Sequence, residues 1–208
     1  MKVYTITLGE LSTNCHIVEC GDGGCVLVDI GNGAKKLQKK LIELDLTPKA
    51  ILLTHGHYDH VAGVEEIRKL YDCPVYIHEN DAVMLVDEQA NLAWQLTTAP
   101  YTPVTAYQTI QDGDVIQAGN LEFRVMLTKG HTSGSVCYFC EDCLFSGDTL
   151  FRGGIGRTDL GGNIQDMKKS LQKLKAIQED YYVYCGHFNS TTLSREQKNS
   201  PYFRGLDD

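Results

Sequence analysis

The sequence predicts an α/β protein with a four-layer αββα sandwich, formed by one domain over residues 1–208. Strand-like segments occur in two batches along the chain, and helical segments follow each batch. Two facing sheets with helices on their outer sides bury the apolar face of every element in such an order. No linker of biased composition separates the two batches, so we expect one domain rather than two.

The first batch begins with strands and then alternates strands with helices. Gly21–Gly24 marks a turn, and Gly31–Gly33 separates an apolar segment from an amphipathic one that ends before Pro48. Segments with a period of two are predicted as strands, and segments with a period near 3.6 as helices. The predicted strands are Val3–Leu8, Cys15–Glu19, Cys25–Ile30, Ala50–Leu53 and Pro74–Ile77, and the predicted helices are Ala34–Leu46, Val61–Leu70 and Asn80–Val86.

The second batch follows an irregular segment from about Glu88 to Gln108, which contains two prolines and the only tryptophan, Trp94. A connection of this length without regular structure is usually functional or mobile, so we expect a loop near the functional site. The predicted strands after it are Asp114–Ile116, Glu122–Leu127, Ser135–Cys140, Cys143–Ser146 and Tyr181–Cys185, with a helix at Ile164–Ile177.

Composition and charge exclude several classes of protein. Charged residues make up 22% of the chain and hydrophobic residues 42%, as in globular proteins. The net charge of −8 and the lack of a long Lys/Arg block argue against nucleic-acid binding. No apolar run has the length of a membrane span, and the N-terminal segment alternates unlike a signal peptide. We expect a cytoplasmic protein that binds neither nucleic acid nor membrane; the sequence leaves its oligomeric state open.

The eight cysteines are expected to be reduced thiols, since disulfides are rare in the cytoplasm. Cys137, Cys140 and Cys143 have a spacing that resembles a metal or redox motif. However, the surrounding pattern predicts two strands joined by a tight turn, and side chains three apart on a strand face opposite sides. This geometry is poor for chelation, and we interpret the three cysteines as structural.

The strongest functional signal is the His-x-His-x-Asp-His cluster of His55, His57, Asp59 and His60, directly after a buried strand. Side chains of successive strand residues alternate in direction, so four converging ligands require a turn or a helix start. The helical segment that follows supplies one. Three imidazoles and a carboxylate beside a core are costly to bury unless a metal satisfies them. The cluster therefore predicts a metal site.

Three further candidates follow predicted strands, each flanked by glycine or another small residue. They are His131, Asp148 and His187. Small neighbours allow the backbone to approach an ion closely. Five of the seven histidines thus lie at strand ends; His16 and His78 lie in or beside strands, and we interpret both as structural.

These motifs, together with the segment Gly147–Leu160, resemble the metallo-β-lactamase-fold hydrolase superfamily, and within it the small glyoxalase II-like (hydroxyacylglutathione hydrolase-like) branch. The resemblance covers nearly the whole chain. It implies two divalent metal ions bound by a set of seven residues. By this resemblance the first ion is bound by His55, His57 and His131, the second by Asp59, His60 and His187, and Asp148 bridges both.

The chemistry of this ligand set points to hydrolysis. Nitrogen and oxygen ligands without a thiolate suit zinc, with iron or manganese as alternatives. Two ions about 3.5–4 Å apart can share a hydroxide and lower the pKa of its parent water. We expect it to attack a small-molecule acyl-thioester, because a thiolate leaves without a dedicated acid and no unassigned Glu or His accompanies the motifs. The resemblance implies S-lactoylglutathione as the example. Asp59 is the expected catalytic residue, orienting or deprotonating the water.

Several alternative functions stay open at this point. The main one is a persulfide dioxygenase, which shares the His cluster and would use one iron at the positions of His55, His131 and Asp148. A lactonase or another ester hydrolase and a non-catalytic metal sensor or scaffold are further alternatives. A secreted β-lactamase is disfavoured, because no export signal is recognised and Asp148 stands where many such enzymes carry Cys. A flavin-linked di-iron reductase usually has Glu in place of His57, and an RNA-processing relative needs a more basic surface.

Two departures from the glyoxalase-like pattern concern the substrate. Phe188 follows the last histidine where the family usually has Gly, and Phe lacks the conformational freedom of Gly. The larger glyoxalase II enzymes also bind glutathione through an added C-terminal helical domain, which these 208 residues do not contain, so glutathione specificity is an open question. Arg152 and Arg157 are candidate contacts for an acidic substrate, since the guanidinium group binds carboxylates with two parallel hydrogen bonds. The alternative is that Arg157 braces the loop by pairing with Asp159.

Overall fold

Two six-stranded sheets form the centre of the protein in a computed structural model, which describes residues 1–206. The first sheet is antiparallel over its first three strands and parallel from the third strand onward. It contains, in spatial order, β1 Val3–Leu8, β2 Thr13–Glu19, β3 Gly24–Val28, β4 Thr47–Leu52, β5 Val75–His78 and β6 Gln108–Ile110.

The second sheet is antiparallel except for one parallel pair, β10 with β11. Its strands are β7 Val115–Ala118, β8 Leu121–Leu127, β9 Val136–Cys140, β10 Cys143–Gly147, β11 Tyr182–Cys185 and β12 Thr191–Thr192, and their spatial order is β12-β11-β10-β9-β8-β7. The helices are α1 Ala34–Leu44, α2 Tyr58–Val61, α3 Val64–Tyr71, α4 Ala93–Leu96, α5 Ile164–Lys175, α6 Leu193–Asn199 and α7 Pro201–Arg204, with a 3₁₀ helix at Glu79–Leu85.

Three layers of buried side chains separate these elements. In β3, Leu27 belongs to the layer shared with α1 and α3, whereas its neighbour Val26 belongs to the layer shared with Phe123 and Phe145 of the second sheet. A third layer joins the second sheet to α5, α6 and α7. Alternate residues of a strand thus face different layers, as the period of two requires. The predicted αββα arrangement is confirmed, and Asp207 and Asp208, which the single-domain prediction also included, lie outside the described residues.

Most predicted elements are present with shifted ends. The predicted helix Ala34–Leu46 ends at Leu44, because Asp45 adopts a left-handed conformation that closes it. The helix predicted over Val61–Leu70 is two helices, α2 and α3, separated at Gly63. A side chain at Gly63 would collide with the Gly31 carbonyl and Ile30, so this glycine allows the helices to approach the segment that follows β3 closely.

Five short elements were not predicted from the sequence: α4, β6, β12, α6 and α7. α4 and β6 lie in or at the end of the segment predicted as irregular. α6 and α7 begin with capping residues, Thr192 and Ser200, and Pro201 occupies the first turn of α7. These local signals were present in the sequence.

The cysteine prediction agrees with the structure. All eight cysteines, which lie within the described part of the chain, are free and buried. Cys140 and Cys143 flank the turn of the β9–β10 hairpin, as predicted. Among residues 1–206, no helix is long and apolar enough to cross a membrane.

Candidate metal centre

All predicted ligands lie at one edge of the sandwich, beyond the ends of four strands. The chain leaves β4 toward His55, β8 toward His131, β10 toward Asp148 and β11 toward His187. His57 is the residue before the first turn of α2, so Asp59 and His60 project from the start of a helix. The start of α2 is therefore the turn into a helix that allows the four side chains to converge.

The seven side chains form three overlapping groups. Within each group, the ligand atoms lie within 4.8 Å of one another. The groups are His55, His57, His131; His55, His60, Asp148; and Asp59, His60, His187. The first and third groups coincide with the two sets that the resemblance implies. The second joins a member of each set to Asp148. The structure therefore brings together every residue that the sequence analysis assigned to metal binding.

Asp148 lies between the two sets. Its Oδ2 atom is 3.5 Å from Nε2 of His131 and 3.5 Å from Nε2 of His187, and its Oδ1 atom is 3.4 Å from Nε2 of His60. A side chain at Gly186 would collide with Asp148 Oδ1, so only glycine fits beside this carboxylate. The position is the one that a bridging carboxylate requires.

Two histidines are oriented by backbone carbonyls of the segment that follows β10. Nδ1 of His131 donates to the Arg157 carbonyl at 2.7 Å, and Nε2 of His57 donates to the Leu160 carbonyl at 3.3 Å. The other nitrogen of each ring, Nε2 of His131 and Nδ1 of His57, points into the cluster. The segment Gly147–Leu160, recognised in the sequence only as a motif, thus fixes the tautomers of both rings.

Asp29 orients the histidines on the other side of the cluster. Its carboxylate accepts from Nδ1 of His60 at 2.9 Å and from the Thr54 hydroxyl at 2.7 Å. Because the Thr54 proton is donated to Asp29, its oxygen accepts from Nδ1 of His55, 3.1 Å away. The Nε2 atoms of His55 and His60 are left facing the cluster.

The histidines on the two sides of the site differ in pKa, because carboxylates surround only one side. Burial lowers the pKa of both His57 and His131 to about 4, so these rings are neutral at pH 7. Burial also lowers the pKa of His60, but the carboxylates of Asp59, Asp148 and Asp29 outweigh it and raise this pKa to about 10. A site with neutral nitrogen donors and clustered carboxylates is suited to bind cations.

Two observations test whether the site fits metal ions. His55 Nε2 and Asp148 Oδ1 are the only buried side-chain nitrogen or oxygen atoms of residues 1–206 without a hydrogen-bond partner, and both face the cluster. His57 Nδ1 and His131 Nε2 are 2.9 Å apart, and each ring uses its other nitrogen as a donor. Their two lone pairs then face each other, which is favourable only with a cation next to both. The residues fit the implied metals.

Asp81, which was not among the residues predicted from the sequence, joins the loop of His55 and His57 to the loop of His131. Its carboxylate is fully buried and accepts from Gly56 N at 3.1 Å, Gly134 N at 2.7 Å and the Thr132 hydroxyl at 2.6 Å. Gly56 lies between two predicted ligands, and Thr132 follows another. Nothing local marks Asp81 or Asp29, because their partners are distant in sequence.

A cavity of about 480 Å³ opens over the cluster. Leu92, Gln95 and Leu96, from the segment predicted to be a loop near the site, line one side of it. Arg157 also lines the cavity, but its guanidinium forms two hydrogen bonds of 2.7 Å with Asp159, whereas Arg152 is exposed and does not line it. Substrate binding by either arginine stays a prediction.

The two histidines interpreted as structural lie outside the cluster. His16 is buried, with Nε2 3.1 Å from the Cys185 carbonyl and Nδ1 3.0 Å from the Thr5 hydroxyl. His78 precedes the 3₁₀ helix, and its Nδ1 accepts from Asn80 N. In the described part of the chain, neither belongs to a group of three or more residues that could hold an ion.

Comparison with known proteins agrees with this geometry. The model of the metallo-beta-lactamase superfamily matches residues 8–187. The chain is 35% identical to a probable metallo-hydrolase, YqgX, of Bacillus subtilis, with 99% of each protein covered. It is 28% identical to the hydroxyacylglutathione hydrolase GloC of Haemophilus influenzae, covering 97% of this chain and 98% of that protein.

Two solved structures are similar over almost their full length. The B3 metallo-beta-lactamase BLEG-1 superposes with a TM-score of 0.92 at 36% identity, covering 97% of this chain and 99% of that one. TTHA1623 in a di-iron-bound form has a TM-score of 0.85 at 35% identity, covering 96% of this chain and all of that one. From the fold, the convergent His/Asp groups and the extent of these matches, we conclude that the chain belongs to the metallo-β-lactamase superfamily.

Proposed function

We propose that this metallo-hydrolase is a thioester hydrolase with two divalent cations, the first held by His55, His57 and His131, the second by Asp59, His60 and His187, with Asp148 between them. The observation that carries the proposal is the overlap of the ligand groups through shared members, which provides donors for two neighbouring ions. Zinc is the expected metal from the donor types, and the di-iron form of TTHA1623 supports iron as the alternative.

Bound cations would supply a water of lowered pKa and a positive charge for the developing oxyanion. The chain itself supplies an ionised carboxylate, that of Asp59, beside the proposed metal ions. Burial raises the pKa of Asp59, but in the chain without bound cations the charge of His60 and hydrogen bonds from His187 and Thr13 outweigh it and hold this pKa well below its usual range. Bound cations would keep the same carboxylate ionised in place of the two histidines. Thr13 donates to Asp59 Oδ2 at 2.8 Å, and the same oxygen lies 3.2 Å from Nε2 of His187, so this hydrogen bond holds the carboxylate beside the cluster, where it can orient the attacking water or accept its proton.

The cavity favours a leaving group that needs no proton. The histidine and carboxylate side chains that line it are all proposed ligands: His57, Asp59, His131, Asp148 and His187. Among residues 1–206, no other acidic or histidine side chain lines the cavity to protonate an amine. A thiolate, with a pKa of about 8.5, departs unprotonated. The similarity to GloC, a hydroxyacylglutathione hydrolase, supports S-lactoylglutathione as the first substrate to test.

A second candidate is β-lactam hydrolysis, which the similarity to the B3 enzyme BLEG-1 favours. The same nucleophile would attack a lactam carbonyl, but its nitrogen must gain a proton as it leaves. We rank it below the thioester reaction for that reason. A cytoplasmic location and a small-molecule substrate complete the proposal.

The test combines metal analysis with a panel of substrates. Gently purified protein is expected to contain about two ions per chain by elemental analysis and to hydrolyse S-lactoylglutathione faster than a chromogenic cephalosporin. Failure to hydrolyse any thioester by protein with both metal sites filled would reject the proposal. One iron per chain, with oxygen consumption on glutathione persulfide, would identify a persulfide dioxygenase instead.

A further inference from the structure

Phe188, the residue after His187, combines two unfavourable features. Its backbone φ is +62°, in the left-handed region that is costly for a bulky residue, and its side chain is 77% exposed. Its ring lies next to two other rings at this edge, those of Phe151 and His187, at centroid distances of 5.6 Å and 6.1 Å. Strained residues of this kind concentrate at functional sites and persist where the surrounding structure holds them; here Asn14 Nδ2 donates to the Phe188 carbonyl at 2.9 Å.

Phe188 belongs to an apolar rim around the cavity. The rim is formed by Leu11, Leu92, Leu96, Phe151, Leu160 and Phe188. Leu11 is 48% exposed and Leu96 40% exposed, so three large apolar side chains face water at the mouth. Leu11 and Phe188 also border a second depression of about 220 Å³ that reaches His187. Contiguous exposed apolar surface next to a site marks a place where a ligand binds.

The lining of the cavity offers few positive charges to an anionic substrate. Arg157 is the only Arg or Lys lining the cavity among residues 1–206, and Asp159 pairs with its guanidinium through two hydrogen bonds. A carboxylate entering the cavity would have to displace Asp159 or remain unpaired. The rim therefore suggests a different substrate from the acidic one that the arginine positions suggested.

We propose that the substrate carries an apolar chain or ring beside its thioester, enclosed by Phe188, Leu11 and Leu96. This inference rests on the proposed function in placing the thioester over the metal ligands. Phe188 is then a specificity residue, whose exposed ring becomes buried when the apolar group binds. Burial of several methylene groups against the rim increases affinity by about tenfold or more over a methyl group.

Binding is measured first, with thioethers that cannot be hydrolysed. By calorimetry on the metal-loaded protein, S-hexylglutathione is expected to bind about tenfold or more tighter than S-methylglutathione. Phe188→Gly and Leu11→Ala should each reduce this ratio to about threefold or less. Tyr202→Ala, which removes another exposed aromatic side chain on α7, is the control and should leave the ratio unchanged. Equal affinities in the original protein, or a ratio that neither rim variant changes, would overturn the inference.

Kinetics separate this inference from the proposed function. We expect a higher kcat/KM for S-hexanoylglutathione or for S-hexyl thioacetate than for S-acetylglutathione. A preference for S-hexanoylglutathione places the apolar group on the acyl side, and a preference for S-hexyl thioacetate places it on the thiol side. Equal kcat/KM for all three would support the proposed function and reject the apolar subsite. Hydrolysis of none, with the preference for the hexyl thioether retained, would reject the thioesterase and leave the apolar subsite standing.

Discussion

Replacement of Asp81 by Asn tests whether one buried carboxylate holds the ligand loops together. The carboxylate accepts from Gly56 N and Thr132 through Oδ2, and from Gly134 N through Oδ1. The amide of Asn has the same shape, but one of its two ends is a donor. In either orientation the NH₂ group therefore faces a backbone N–H that has lost its acceptor.

The cost follows from these contacts. The less damaging orientation turns NH₂ toward Gly134 N, so that the Gly134 N–H and the NH₂ group face each other without an acceptor, at about 1–3 kcal/mol, while the remaining bonds lose their ionic acceptor. Burial raises the pKa of Asp81, so removing the charge recovers part of the desolvation energy. We expect a net loss of about 2 kcal/mol, which for a protein of this size lowers Tm by about 4–8 °C.

The assay is thermal unfolding together with competition by a chelator. Because Asp81 links the loops of His55, His57 and His131, metal affinity should fall by about 10–100-fold in the Asn variant. Asp87→Asn is the matched control: this exposed carboxylate accepts from Gln89 N and Ala90 N through one oxygen, a role that Asn can fill. A Tm within about 1 °C of the original protein, with unchanged resistance to chelation, would refute the reasoning.

Three further predictions concern the site and its surroundings. Asp59→Asn should nearly abolish thioester hydrolysis in folded protein, whereas His78→Ala should leave kcat nearly intact; equal losses would contradict the division into ligands and structural histidines. Burial lowers the pKa of His16 to about 4, below its unfolded value near 6.5, so the unfolded chain binds more protons and stability falls as pH drops from about 6.5 to 4. His16→Gln should reduce the stability difference between pH 7.5 and pH 5.0, measured by urea unfolding, by about 2 kcal/mol; an unchanged difference would exclude His16 as its source. Chelation of the metals should lower Tm, and restored zinc should raise it again, because a ligand bound only by the folded chain stabilises it; a Tm insensitive to verified metal removal would count against a filled site.

Local patterns along the chain were sufficient to predict the layered fold and the residues that converge. Periodicity is a local property, and it identified β1 with its exact ends and the β9–β10 hairpin around Cys140 and Cys143. Ligand-type residues after several strands predicted convergence, because strand ends of neighbouring strands meet at the edge of a sheet. The missed helices α6 and α7 were also within reach, since Thr192 and Ser200 are ordinary capping residues.

The contacts that hold the cluster and the residues that surround it became visible only in the folded chain. The carbonyls of Arg157 and Leu160 orient His131 and His57 across more than 25 residues of sequence, and a carbonyl carries no sequence signature. Asp81 likewise could not be distinguished from any other aspartate until its donors from distant loops were in place. Phe188 already departs from the family pattern in the sequence, but its exposure depends on the loops that border it. A periodic pattern specifies which face of an element is buried, but hydrogen bonds between distant segments depend on positions that only the folded chain brings together.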